Sequence, residues 1–315
     1  MVISQTPLRI SFLGGNTDFP EYHKKYGGLV LTTAIDKYVY CVVTKRFDDQ
    51  IRVNYSIKEI VEKVSDVKHE MVREAMIMTG VEKEVEISFL SDVPGEGSGL
   101  GSSSAVTVGV LNALHTYKGD FVSAQRLAEE ACVIERDILK KPIGIQDQYI
   151  CALGGLRELV FPTGGGVINL TEPIRDELNN SLMLFYTGIT RKSSDILSKL
   201  SLDKETLDRN VSLARDGIEA VKIGDVEVLG NLLHEYWETK KTLSSGISNL
   251  VIDQMYQTAL ERGAYGGKIC GAGGGGFLLL VVPPGKRNDI RVGLSGYREL
   301  PFRLALNGSR IILNI

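Results

Sequence analysis

Apolar and polar residues alternate along Leu8-Arg9-Ile10-Ser11-Phe12 and again along Val85-Glu86-Ile87-Ser88-Phe89, the period of a strand with one buried face. Leu29 to Thr33 and Tyr38 to Thr44 are apolar and β-branched, so two more strands are predicted. Residues 58–79 carry a charge-rich helical pattern. Two further helices are predicted over 103–116 and 123–139, and 191–263 reads as mostly helical. Leu182 to Tyr186 and Phe277 to Val282 read as buried strands, and a last strand is predicted at Arg310 to Leu313. Gly154-Gly155 and Gly164-Gly165-Gly166 punctuate short elements. A polar stretch at 171–180 marks a boundary, giving an N-terminal unit over 1–175 and a C-terminal unit over 176–315.

Composition narrows the function classes. The 315 residues are 43% hydrophobic and 24% charged, as in a globular chain of one large or two ordinary domains. The net charge of −3 gives no basic field for nucleic acid or a membrane surface. No apolar run reaches the about 20 residues of a spanning helix, and no signal-peptide pattern opens the chain. Cys41, Cys132, Cys151 and Cys270 lie far apart in apolar surroundings and read as reduced core residues of a cytoplasmic protein. His23, His69, His115 and His234 lack metal-ligand spacing, so zinc is not expected.

The segment Pro94-Gly95-Glu96-Gly97-Ser98-Gly99-Leu100-Gly101-Ser102-Ser103-Ser104-Ala105 carries the strongest chemical signal. It follows a predicted strand and opens a predicted helix. Glycine lets backbone N–H groups approach a ligand closely. A helix N-terminus adds unpaired donors and partial positive charge. The unit is an anion cradle, and the serines can cap the helix and place a hydroxyl on a phosphate-bound metal. No lysine follows the glycines, so this is not a Walker A loop. A plain flexible loop with helix-capping serines is the bland alternative.

Other residues carry two readings each. Glu135 shares a helical face with Ala128, Ala131, Cys132 and Leu139, where a carboxylate needs an arginine partner or a metal such as magnesium. Asp147, in Gly144-Ile145-Gln146-Asp147-Gln148, is either a turn or cap former or a carboxylate facing a sugar hydroxyl. Arg9 is either exposed or paired inward with Asp147 or a phosphate. Asn16 and Asp18 either form the turn 14–18 or bind sugar hydroxyls. The second loop, Gly271-Ala272-Gly273-Gly274-Gly275-Gly276, formally matches a dinucleotide fingerprint, but an apolar strand follows where a helix is required. It reads instead as a place where two backbones approach closely, beside the first glycine loop.

Three segments in order, Pro7 to Asp18, Pro94 to Ala105 and Lys268 to Gly276, together resemble the GHMP kinase superfamily. Glu135 and Gly144 to Gln148 stand at galactokinase-like spacing. Within the superfamily the chain looks most like the heptose 7-phosphate kinase branch, through Gly14 to Asp18, Tyr26-Gly27-Gly28, Ala34 to Tyr38, Gln146 to Tyr149, Tyr186 to Arg191 and Trp237 to Lys241. That branch more usually shows a third glycine where this chain has Asn16. Galactokinases carry Glu-His at Gly15-Asn16, so the sugar pocket differs.

The resemblance implies an α+β fold, a ribosomal-protein-S5-like N-terminal domain joined to a ferredoxin-like C-terminal domain, with the site between them. It implies ATP and Mg2+ as cofactors. Pro94, Gly95, Gly97, Gly99, Leu100, Gly101, Ser102, Ser103 and Ser104 would cradle the ATP phosphates, with Ser103 (or Ser104) and Glu135 on the metal. Asp147 would be the catalytic carboxylate and Arg9 its partner. Asn16, Asp18, Gly273 and Gly274 would contact substrate. Arg191-Lys192 or Lys240-Lys241 would grip a substrate phosphate, unless these are ordinary solvated charges. The implied reaction is heptose 7-phosphate to heptose 1,7-bisphosphate, feeding nucleotide-activated heptose for a bacterial surface polysaccharide. The implied partner is a small sugar phosphate, with a homodimer left open. The rival expectations are a neutral hexose 1-kinase (galactokinase- or fucokinase-like) and a non-catalytic sugar- and nucleotide-binding regulator on the same fold.

Overall fold

The computed structural model describes residues 1–93, 97–191, 196 and 203–315. The alternating N-terminal segment forms β1 (Val2–Leu13), which pairs antiparallel with the long strand β2 (Gly28–Lys45). The helix α1 (Pro20–Tyr26) fills the connection, with Pro20 at its first turn where no N–H partner is needed. At 18 residues, β2 serves two neighbours on its other edge. Residues 39–45 pair with β5 (Val85–Ser91), and residues 28–33 pair with β6 (Leu156–Phe161). The sheet continues from β5 to β3 (Ile51–Asn54) and β4 (Lys58–Val61), and from β6 to β7 (Ile168–Glu172).

The predicted helix over 58–79 is corrected. Residues 58–61 are β4, and α2 covers only Glu70–Thr79. The charged residue Glu59 misled the periodicity, because its carboxylate is buried as a brace. It accepts from Tyr55 Oη (2.8 Å) and from the backbone N–H groups of Lys68 (2.6 Å) and His69 (3.0 Å).

Against the sheet lies α3 (Ser102–Lys118), buried along most of its length. Around it pack α2, α4 (Ala124–Cys132) and α5 (Gln146–Leu153). Ser123 caps α4, its hydroxyl accepting from Arg126 N–H. The predicted helix 123–139 changes pitch: residues Val133–Ile138 form a π-helical segment.

The smaller sheet is antiparallel, ordered β8 (Leu182–Tyr186), β10 (Phe277–Val281), β9 (Gly266–Ile269). Residues 298–300 hydrogen-bond along the free edge of β8, through Tyr186 N–H to Arg298 O (2.9 Å) and Leu300 N–H to Leu184 O (2.8 Å). Four segments thus lie side by side. The helices here are α6 (Asp176–Ser181), α7 (Lys204–Ile223), α8 (Val226–Thr242), α9 (Leu250–Glu261) and α10 (Arg287–Gly293). Asp203, Asp225 and Asn249 cap α7, α8 and α9 through their side chains.

The architecture is α+β. Two features cross the boundary expected near residue 175. The last strand, β11 (Arg310–Asn314), returns to the large sheet and pairs with β1. One apolar core also joins Leu8 and Leu13 of β1 to Leu213, Leu233 and Leu279. Among the described residues no helix is long and apolar enough to cross a membrane, and all four cysteines are free thiols.

Candidate active site

The first glycine loop lies against β1, where Arg9 N–H donates to Leu100 O (2.9 Å). The second loop supports it from behind. A Cβ on Gly99, whose φ is +75°, would sit 2.4 Å from Cys270 O, and one on Gly271 would meet Gly99 Cα at 2.9 Å. Only residues without side chains permit this backbone contact. The strand β10 follows the second loop, so the close-approach reading of that loop describes its place.

Together the loops wall a cleft of about 960 Å³. Gly97, Gly99, Gly101, Ser102, Ser103 and Ser104 line it; Pro94, Gly95 and Lys192 lie outside the described residues. Leu100 does not line it. Its side chain is in the core, its N–H bonds Ser98 Oγ (3.3 Å) and its carbonyl is taken by Arg9. Gly273 and Gly274, expected as substrate contacts, do not line the cleft either. They turn toward Ile247 and Gly246, and Gly271 and Ala272 are the residues of that loop in the cleft.

Arg9, 6% exposed, points inward. Its Nε donates to Asp147 Oδ1 (2.6 Å), Nη2 to Asp147 Oδ2 (2.5 Å) and Nη1 to Gly99 O (2.6 Å). Burial works against the Arg9 charge, but the Asp147 carboxylate offsets it, and the pKa lies above the usual arginine value. Asp147 sits in the first turn of α5, where the helix N-terminus favours an anion.

Asp18, 1% exposed, accepts from Gln146 N–H (3.0 Å) and Gln146 Nε2 (3.1 Å), and so caps α5 from a distant turn. Gly144 makes room for it: a Cβ there would stand 1.9 Å from Asp18 Oδ2. Loss of water, chiefly, pushes the Asp18 pKa up to about 6. Asn16 has φ +69°, a left-handed conformation that asparagine tolerates better than other side chains. That explains how it occupies a position where glycine would be at ease.

Glu135 is fully buried beneath α3. No ion pair to it forms among the described residues, so the arginine-partner reading is not met. Instead it accepts from Thr107 Oγ1 (2.5 Å), Ser104 Oγ (3.0 Å) and Gln148 Nε2 (2.8 Å). Burial raises its pKa. Of the two serines expected with Glu135, Ser103 or Ser104, it is Ser104 that contacts the carboxylate. Successive helical residues point about 100° apart, so Ser104 faces the core while Ser103 is exposed toward the cleft, its Oγ donating to Met71 Sδ (3.4 Å).

Two groups were not placed by sequence reasoning. Lys268, on β9, is 2% exposed, donates to Phe12 O (2.7 Å) and lies 4.5 Å from the Tyr236 ring centre. Burial draws its pKa down to about 7. Its place directly before the second glycine loop was the available signal. Tyr236 precedes the buried Trp237 on α8 and gave none. Lys240, which was expected at the site, donates to Gly271 O (2.6 Å), and burial holds its pKa well below the usual lysine value. Arg191 stands behind the loops, its backbone N 2.7 Å from where a Gly97 Cβ would be. The far end of the cleft is aromatic: His69 meets Tyr55 edge-on (4.7 Å) and stacks on Phe89 (5.8 Å).

The family profile for the GHMP kinases N terminal domain matches residues 57–155, and that for the GHMP kinases C terminal matches 218–297. The chain is 33% identical to D-glycero-alpha-D-manno-heptose 7-phosphate kinase of Campylobacter jejuni, over 91% of each protein. It is 28% identical to L-fucokinase/L-fucose-1-P guanylyltransferase of Bacteroides fragilis, over 87% of this chain and 34% of that longer protein. Among solved structures it is similar to a D-glycero-D-manno-heptose 1-phosphate kinase from Bacteroides thetaiotaomicron, with TM-score 0.83, 26% identity and 100% coverage of both chains. On a cleft walled by two glycine loops and centred on the Arg9–Asp147 pair, these matches establish that the chain belongs to the GHMP kinase superfamily, whose members are ATP-dependent phosphotransferases.

Proposed function

We propose that this sugar kinase transfers the γ-phosphoryl group of ATP to the anomeric hydroxyl of a heptose 7-phosphate, giving the 1,7-bisphosphate. The identity to the Campylobacter jejuni heptose 7-phosphate kinase along nearly the whole chain supports that substrate. The observation that carries the chemistry is the double hydrogen bond from Arg9 to Asp147 beside the glycine loop. It argues against a non-catalytic regulator, which has no need of a carboxylate poised at a phosphate cradle.

In this reading adenine occupies the aromatic end at Tyr55, His69 and Phe89. The backbone N–H groups of the glycine loop and the N-terminus of α3 hold the phosphates. Asp147 accepts a hydrogen bond from the acceptor hydroxyl, which orients its oxygen toward the γ-phosphorus. The new O–P bond forms as the bond to the ADP oxygen breaks, and the hydroxyl proton passes to Asp147. Burial disfavours the charged forms of Lys240 and Lys268, and phosphate groups beside them would favour protonation again, so that the two amines offset charge on the moving phosphoryl group. The Glu135 carboxylate and the Ser104 hydroxyl beside it are hard oxygens of the kind magnesium takes, while the third partner of Glu135, Gln148 Nε2, is a nitrogen and no ligand for it. Glu135 with a serine hydroxyl of the loop, Ser104 that contacts it or Ser103 at the cleft wall, would hold that ion, which would supply positive charge to offset that of the phosphates.

The test is ADP release with magnesium-ATP against heptose 7-phosphate, mannose 6-phosphate, galactose, mannose, fucose and mevalonate, with the product position read by phosphorus NMR. Turnover confined to phosphorylated sugars supports the proposal. Turnover confined to a neutral sugar replaces it with a hexose or fucose 1-kinase, the reading that the fucokinase relative favours.

A further inference from the structure

We infer that the phosphate already carried by the substrate is held in a side pocket built around Arg136, an inference that rests on the phosphorylated-sugar reading above. The pocket holds about 440 Å³ and shares Asn16, Phe19, Lys141, Pro142 and Ile143 with the main cleft. It is therefore a lobe of the substrate site, reached past the turn that carries Asn16. The shared wall 141–143 runs directly into Gly144, Gln146 and Asp147, so one stretch of chain connects the side pocket to the catalytic carboxylate.

The charge of the lobe is right for a phosphate monoester. Arg136, Lys141 and Lys204 line it, against the single carboxylate of Glu21. Two of the three cations have partners: Lys141 stands 3.2 Å from Glu70, and Lys204 pairs with Asp208 while lying 4.8 Å from the Tyr26 ring centre. Among the described residues the Arg136 guanidinium makes no hydrogen bond or ion pair. A half-buried guanidinium with open donors at the end of a sugar-sized cleft matches the geometry of a phosphate dianion.

One turn of the π-helical segment serves two sites. Glu135 and Arg136 are neighbours in Val133–Ile138, yet Glu135 is fully buried under the glycine loop and Arg136 opens into the lobe. Widening of the helix re-aims side chains, and such segments recur at functional sites. The other basic candidates are less well placed. Lys240 is engaged with Gly271 O, and Arg191 lines neither cavity among the described residues.

The experiment compares kcat/KM for heptose 7-phosphate with kcat/KM for the unphosphorylated heptose, using the full chain at saturating magnesium-ATP. In Arg136→Ala the preference for the phosphorylated sugar should fall about 10- to 100-fold, mainly through KM, since a charge-assisted contact is removed. Arg136→Lys should recover part of it, and Lys204→Ala should lose a smaller part. If Arg136→Ala does not fold, Arg136→Gln and Lys204→Ala carry the comparison. An unchanged preference in folded Arg136 variants would overturn the inference, as would a loss seen in Arg191→Ala alone. Wild-type enzyme that prefers the unphosphorylated sugar overturns the substrate reading itself, and with it the inference. Wild type that prefers heptose 7-phosphate, with Arg136 variants that keep the preference, overturns only the inference.

Discussion

Arg9 grips both carboxylate oxygens of Asp147, 138 residues further along the chain, and spends its remaining terminal nitrogen on the carbonyl of Gly99. Strand β1, helix α5 and the glycine loop therefore meet in one hydrogen-bonded unit. The planar guanidinium sets the orientation of the carboxylate relative to the loop. Positioning of this kind is most of what phosphoryl transfer asks of a protein.

Asp147→Asn is expected to fold and to bind ATP within a few-fold of wild type, while kcat drops by about 10²–10⁴. Calorimetric titration of ATP and steady-state ADP release check the two halves. Near-normal kcat would remove Asp147 from the proton transfer.

Arg9→Lys keeps the charge but loses the fork. A lysine cannot bind both oxygens of Asp147 and the Gly99 carbonyl in one plane. We expect kcat to fall about tenfold or more, with stability lowered by about 1–3 kcal/mol, because a partly buried carboxylate loses a matched partner. Denaturant unfolding and kcat should move together. Full activity in Arg9→Lys would show that charge alone suffices.

For Glu135→Gln the readout is the magnesium concentration giving half-maximal rate, expected to rise about tenfold or more. The fold should tolerate the change. Gln148 Oε1 is a buried acceptor without a donor, and a flipped Gln148 amide can receive the new N–H. An unaltered magnesium requirement would leave Glu135 a purely structural brace.

The buried Asp18 gives a pH dependence with a defined sign. Its pKa rises from 3.8 to about 6, so the native chain keeps a proton between roughly those pH values that the unfolded chain has released. This contribution to stability is complete below about pH 4 and is lost as pH rises through about 6. Asp18→Asn should remove that slope and gain about 2 kcal/mol over wild type at pH 8. Gln146 Oε1, buried and without a donor, is available to the new amide. Unfolding measured from pH 4 to 8 tests it; parallel curves for the two proteins would place the ionised Asp18 in a less costly environment.

How much was legible depended on whether a residue's role is local. The strand alternation at residues 85–89 survived folding because a sheet with one packed face imposes period two wherever it lies. Residues 8–12 also form a strand, but both of its faces are covered, and the polar Arg9 and Ser11 are buried at the wall of the cleft. Glycines 97, 99 and 101 were legible for a similar reason: their positive φ values and close contacts admit almost no other residue. The helix expected over 58–79 failed where Glu59 turned inward to brace a backbone turn, since period alone cannot tell a buried carboxylate from a solvated one.

The sequence by itself determined the glycine loops, the buried face carrying Glu135 and the family they mark, because each is written in residues close together. Tertiary structure decided the partners. It chose Asp147 for Arg9, Gln146 for Asp18 and Ser104 rather than Ser103 for Glu135. It also brought Lys268 and Tyr236 to the cleft and opened a lobe at Arg136. Each of these depends on how a side chain is aimed by packing between distant elements, through a helix phase or a change of pitch that no local pattern records.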